Sequence, residues 1–154
     1  MSELRVVAER AVGAPAEQVY RLIADYDRHH PRFLPPAFSQ FRVEAGGVGA
    51  GTVHSFKMTA GGRARSFRMR VDEPEPGRVL TESDERSSTV TTWVVTPDGP
   101  GCQVRVETRW QGAGRRDRRV VRATVRAAGA AAVVCRGAGA AGPLRPRGAA
   151  RLSG

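Results

Sequence analysis

Few side chains in this sequence are both reactive in type and placed where a reaction or a ligand can use them. His54 is the first. It stands in the run GTVHSFKMTA, where apolar and polar residues alternate, and it shares a face with Phe56 and Met58. A histidine on an inward-facing strand position is either a packed, hydrogen-bonded imidazole or a polar contact or general base inside a cavity. Tyr20 and Arg65 are the further polar groups that can assist proton movement there. His29 and His30 follow Asp25, Tyr26 and Asp27. Adjacent histidines on a loop rarely converge, and a metal site wants three converging ligands, so no metal is expected. Ser87, Ser88 and Thr89 have no His/Asp constellation near them in sequence, so no nucleophile is assigned. The glycines of GVGAG precede a strand rather than a helix, which excludes a phosphate loop. Cys102 and Cys135 are too few for a disulfide framework and are expected to be reduced. No catalytic residue and no cofactor is assigned.

These groups need elements to hold them. LRVVAERAV, residues 4–12, reads as a strand ending at Gly13. In APAEQVYRLIADY, Pro15 suits a helix start, Glu17 complements the positive end of the helix, and Val19, Leu22 and Ile23 make one apolar face. Pro31, Pro35 and Pro36 stop helical structure, and Phe33 and Leu34 between them suggest a short turn or a second small helix. From Phe38 onward FSQFRVEA, GTVHSFKMTA and ARSFRMRVDE alternate apolar and polar residues, the last two reading as a hairpin around AGGR; VLTESDE reads as a short strand, and STVTTWVVTPDGPGCQVRVETRW forms a further hairpin with PDGPG at its tip. The order predicts an α+β domain with a meander of about six to seven antiparallel strands and two short N-terminal helices. Alternation points Phe67 and Met69, then Val106 and Trp110, to the inner face. It points Lys57, Arg68, Arg70, Arg105, Glu107 and Arg109 to a solvated convex face.

The pieces APAEQVYRLIADY, GVGAGTVHSF, VDEPEPGRVLTESD and GCQVRVETRW, in this order, resemble the SRPBCC or START-like superfamily, in its polyketide cyclase/dehydrase-like branch. The resemblance covers residues 4–112. It implies a helix-grip fold, in which the sheet curls around a long C-terminal helix and leaves a cavity for a lipid, polyketide or other apolar ligand. It carries over no universal catalytic motif. The expected cavity lining is Tyr20, Phe33, His54, Phe56, Met58, Phe67, Met69, Trp93, Val106 and Trp110. The expected function is binding of an apolar small molecule there. A cyclase/dehydrase-type enzyme acting in the same cavity is the alternative.

The net charge of +10 does not belong to this domain. Residues 1–112 hold 15 Lys and Arg against 14 Asp and Glu, whereas residues 113–154 hold 10 Arg and one acid, Asp117. The chain therefore divides into a ligand-binding domain, 1–112, and an atypical Arg/Ala/Gly-rich tail, 113–154. Where the family supplies its grip helix, this tail has no aromatic residue, is interrupted by Gly129, Gly137, Gly139 and Gly142, and continues into Pro143 and Pro146. That composition is what a GC-rich gene gives when read out of frame, and the tail is read here as a frameshift product, partly helical or unstructured. The nucleotide sequence across the codons for Gly112 to Arg119 decides it. The arginine run at 115–126 lacks the interleaved aromatics of a nucleic-acid stacking platform, so no specific nucleic-acid partner is expected. No stretch is long and apolar enough to span a membrane, and MSELRVVAER is not a signal peptide, so a cytoplasmic protein is expected. Oligomeric state stays open.

Overall fold

The computed structural model describes residues 3–34, 36–60, 62–112 and 118. The expectations for the tail, a lost grip helix and a frameshift, lie outside the described residues, as does Cys135.

Seven strands alternate so regularly that they join into one antiparallel sheet. They are β1 (Glu3–Val12), β2 (Phe38–Ala45), β3 (Val53–Ala60), β4 (Arg63–Glu75), β5 (Val79–Asp84), β6 (Val90–Asp98) and β7 (Gly101–Gln111). Strands β2 to β7 run as a meander, and β1 closes onto β7, giving the order β1-β7-β6-β5-β4-β3-β2. The sheet is curved, and the architecture is a helix-grip type of α+β fold.

The α-helix α1 (Ala16–Ala24) begins after Pro15, which sits just outside the first turn with φ −57°. Its buried side chains Val19, Tyr20 and Ile23 pack over β5, β6 and β7 in a core with Leu80, Val95 and Val106. The second small helix is a single 3-10 turn, His30–Phe33, which has Pro31 in its first turn and is followed closely in sequence by Pro35 and Pro36. A second buried cluster, Met58, Phe67, Met69 and Trp110, fills the other half of the concave face.

The loop between β2 and β3 locks the end of α1 in place. Tyr26 N–H donates to Gly47 O at 2.9 Å, and Gly49 N–H donates to Ala24 O at 2.9 Å. Gly46 (φ +67°) and Gly47 (φ +147°) make this approach possible. A Cβ on Gly46 would stand 2.9 Å from the Thr52 Cα. The convex face departs from the expectation at one residue. Glu107 is buried, not solvated, at 5% exposure. Arg5 (2.9 Å), Arg105 (2.6 Å) and Arg109 cover it. Chiefly the Arg5 hydrogen bond, with Arg109 and Arg105, holds its carboxyl down at about 2 against the effect of burial.

Candidate functional site

Strand pairing sets a row of rings across the concave face. His54 on β3 lies opposite Met69, and Phe56 opposite Phe67. From the α1 end the row runs Tyr26 to His54 (4.7 Å between ring centroids), His54 to Phe56 (5.8 Å), Phe56 to Phe67 (5.2 Å) and Phe67 to Trp110 (6.2 Å). Arg65, exposed, lays its guanidinium 4.5 Å from the centroid of Trp110.

At the Tyr26 end of this row a carboxylate is buried. Glu82 projects inward from β5, on the same face as Leu80. The Tyr26 hydroxyl donates to its Oε1 at 2.7 Å, and the Trp93 indole N–H to its Oε2 at 3.2 Å. Two imidazoles approach the same oxygen: His30 Nε2 and His54 Nε2 each stand 3.5 Å from Oε1. His30 is fixed from its other side, with Nδ1 2.8 Å from Ile23 O and its ring stacked on Tyr26 at 4.3 Å. Burial alone would raise the Glu82 carboxyl. The histidines and the Tyr26 hydroxyl outweigh that and hold it at about 2, so it is an anion at neutral pH. Burial pushes the His30 imidazole below its ordinary value, with Glu82 opposing. Burial, and then Glu82, push the Tyr26 phenol well above its own.

Beside this cluster lies a cavity. Its space for the centres of water-sized molecules is about 40 Å³, room for a few waters. Its walls bring together seven of the residues expected there: His54, Phe56, Met58, Phe67, Met69, Trp93 and Trp110. Tyr20 and Val106 stand apart from them, in the core beneath α1. The Tyr20 hydroxyl is engaged with Glu73 at 2.7 Å, and burial raises it well above the ordinary phenol value, with that carboxylate adding to the effect. Phe33 lies on the 3-10 turn, and its side chain is outside the described residues. The walls also include His30, Glu82, Phe38, Phe41 and the Thr91–Thr108 hydroxyl pair (2.9 Å), none of which sequence reasoning had assigned. Glu82 had a usable signal, its two-residue spacing from Leu80. His30 had none. Nothing in the sequence links it to His54, yet the two converge on one oxygen, because the loop-anchored end of α1 folds His30 over the sheet. Even so, among the described residues no group of three His, Cys, Asp or Glu is arranged to hold a metal ion.

A family model for polyketide cyclases, dehydrases and lipid-transport proteins matches residues 3–141. The chain belongs to that family. This polyketide cyclase/dehydrase-family chain is also 35% identical over 104 residues to the granaticin polyketide synthase bifunctional cyclase/dehydratase of Streptomyces virginiae, spanning 64% of this chain and 33% of that protein. It thus spans about a third of the length of this curated relative. The solution structure of the KanY protein superposes with a TM-score of 0.77 at 28% identity, covering 88% of this chain and 99% of that one. The ZhuI aromatase/cyclase of Streptomyces sp. R1128 superposes with a TM-score of 0.70 at 19% identity, covering 93% and 100%, a likeness of fold alone. The family match supports a ligand-binding or cyclase role. No helix among the described residues is long and apolar enough to cross a membrane.

Proposed function

We propose that this family member binds an apolar small molecule, lipid-like or polyketide-like, in the cavity between the sheet and the α1–3-10 segment. One observation carries this reading: the cavity wall is predominantly aromatic and thioether, with its ionisable groups gathered around Glu82 at one end. Such a wall favours apolar contact and leaves a few polar groups to orient the ligand. The space is smaller than a bicyclic ligand, so entry requires the lining to yield. Met58 and Met69 are suited to that, since an unbranched thioether changes rotamer more readily than an aromatic ring. The test is displacement of the neutral fluorophore N-phenylnaphthylamine by fatty alcohols and by aromatic polyketides. Saturable binding at one site, and displacement by at least one of these classes, is expected. Absence of saturable binding would remove the reading.

A second reading, a cyclase/dehydrase-type reaction in the same cavity, is favoured by the approach of His54 to within 3.5 Å of an ionised carboxylate. An imidazole beside a buried anion is suited to receive a proton during enolisation of a bound ketone. The measurement is ring formation from a linear polyketone thioester. Loss on His54→Ala with retained fluorophore binding supports it. Turnover that survives substitution of His30, His54 and Glu82 discards it.

A further inference from the structure

Among the described residues, the buried side-chain polar atoms of the cavity wall that lack a hydrogen-bond partner all belong to one residue, His54. Glu82 accepts from Tyr26 and Trp93. His30 is engaged with Ile23 O, Thr91 with Thr108, and Thr89 with Ser87. His54 differs. It is 2% exposed, and neither of its ring nitrogens has a hydrogen bond to any described residue. Its Nε2 stands at ion-pair range from Glu82, 3.5 Å, which is too long for a good hydrogen bond. The ring cannot easily turn to find a partner, because Tyr26 (4.7 Å), Phe41 (5.2 Å) and Phe56 (5.8 Å) pack against it. A buried polar group left without a partner is costly, and a ligand that supplies the partner recovers that cost on binding.

We infer that His54 is the specificity-determining residue of the cavity: it selects apolar ligands whose inner end carries a neutral oxygen, a phenol, enol or ketone, over hydrocarbons and over carboxylates. This rests on the ligand-binding reading above. An imidazole can donate to a carbonyl oxygen or accept from a hydroxyl, so both kinds of neutral oxygen suit it. A hydrocarbon end leaves His54 as it is. A carboxylate end is opposed from close by, because the Glu82 carboxylate already occupies the position facing the ring. A second anion there meets like-charge repulsion and loses its own hydration. The selectivity therefore comes from one unsatisfied group and one repelling group set side by side.

The experiment is competition by naphthol, methylnaphthalene and naphthoate against N-phenylnaphthylamine at neutral pH, with the full chain and its His54→Phe variant. The three ligands share a ring system and differ in the group offered to His54. The full chain is expected to bind naphthol about tenfold or more tighter than methylnaphthalene, the effect of one recovered buried hydrogen bond, with naphthoate weaker than naphthol. In His54→Phe, whose ring packs among the same aromatics, the advantage of naphthol is expected to vanish while methylnaphthalene still binds. Equal affinities for naphthol and methylnaphthalene in the full chain, tight binding of naphthoate, or a naphthol preference that persists in His54→Phe would each overturn the inference and leave the ligand-binding reading standing. Failure of all three ligands and the fluorophore to bind would overturn that reading, and this inference with it. If His54→Phe does not fold, the affinity order in the unsubstituted chain decides.

Discussion

Glu82 makes the stability of this protein depend on acid. Its carboxyl titrates near 4.5 when unhindered and at about 2 in the fold. A depressed carboxyl contributes stability that is fully present above pH 4.5 and is lost as pH falls through about 2. Glu107 is depressed to the same value by its three arginines and acts in the same window. His30 works in the same direction at higher pH: its folded value lies below the ordinary 6.5, so the unfolded chain takes up protons first as pH drops. Thermal melting temperatures are therefore expected to hold near neutrality, begin to fall below pH 6.5, and fall further between 4.5 and 2. Glu82→Gln should flatten that last part without abolishing it, since Glu107 remains. An unchanged acid slope in Glu82→Gln would show that Glu82 is not held ionised by its neighbours.

At the scale of elements, the junction between α1 and the β2–β3 loop decides whether the cluster exists at all. Tyr26 and His30 reach Glu82 only because Gly47 O and Ala24 O are bonded across that junction. Gly46→Ala places a Cβ against the Thr52 backbone in a left-handed conformation. It is expected to cost about 1–3 kcal/mol in denaturant unfolding. Gly13→Ala, with open space around it and no positive φ, is expected to change stability by less than about 0.5 kcal/mol. Equal effects of the two would show that the junction does not hold the cluster in place. The same contrast explains what could be read from sequence. The strands were legible because alternation of period two marks each inner face, as in Phe67, Met69 and Val71, or Val104, Val106, Thr108 and Trp110. His54 was legible for the same reason. His30 was not, because its position depends on contacts between a loop and a helix end that are distant in sequence and follow no period. Tyr20 could not be placed by periodicity: a position beside an apolar helical face does not say which part of the core it enters. Glu107 was misread because alternation gives the side of a sheet and not whether long arginines fold over it.

For the whole molecule, the excess charge and the described walls of the proposed ligand cavity lie in different parts of the chain. Residues 1–112 are near neutral, and the excess of arginine lies beyond them. Among the described residues, the cavity wall has a single carboxylate, Glu82, held in hydrogen bonds. Binding of a neutral fluorophore is therefore expected to change less than about twofold when salt is raised tenfold, since no long-range field draws it in. A steep loss of affinity with salt would instead place the binding surface on the arginine-rich segment.

A ligand in this cavity has a built-in reporter in the chain. The protein has two tryptophans, Trp93 and Trp110, and both line the cavity wall, the first with its indole N–H on Glu82. The direct measurement is a nitrogen–proton correlation spectrum of the two indole N–H groups during titration with naphthol. Both resonances are expected to shift and to saturate together at one equivalent. Saturable binding that leaves both indoles unmoved, while amides of the convex face shift, would place the ligand outside the cavity.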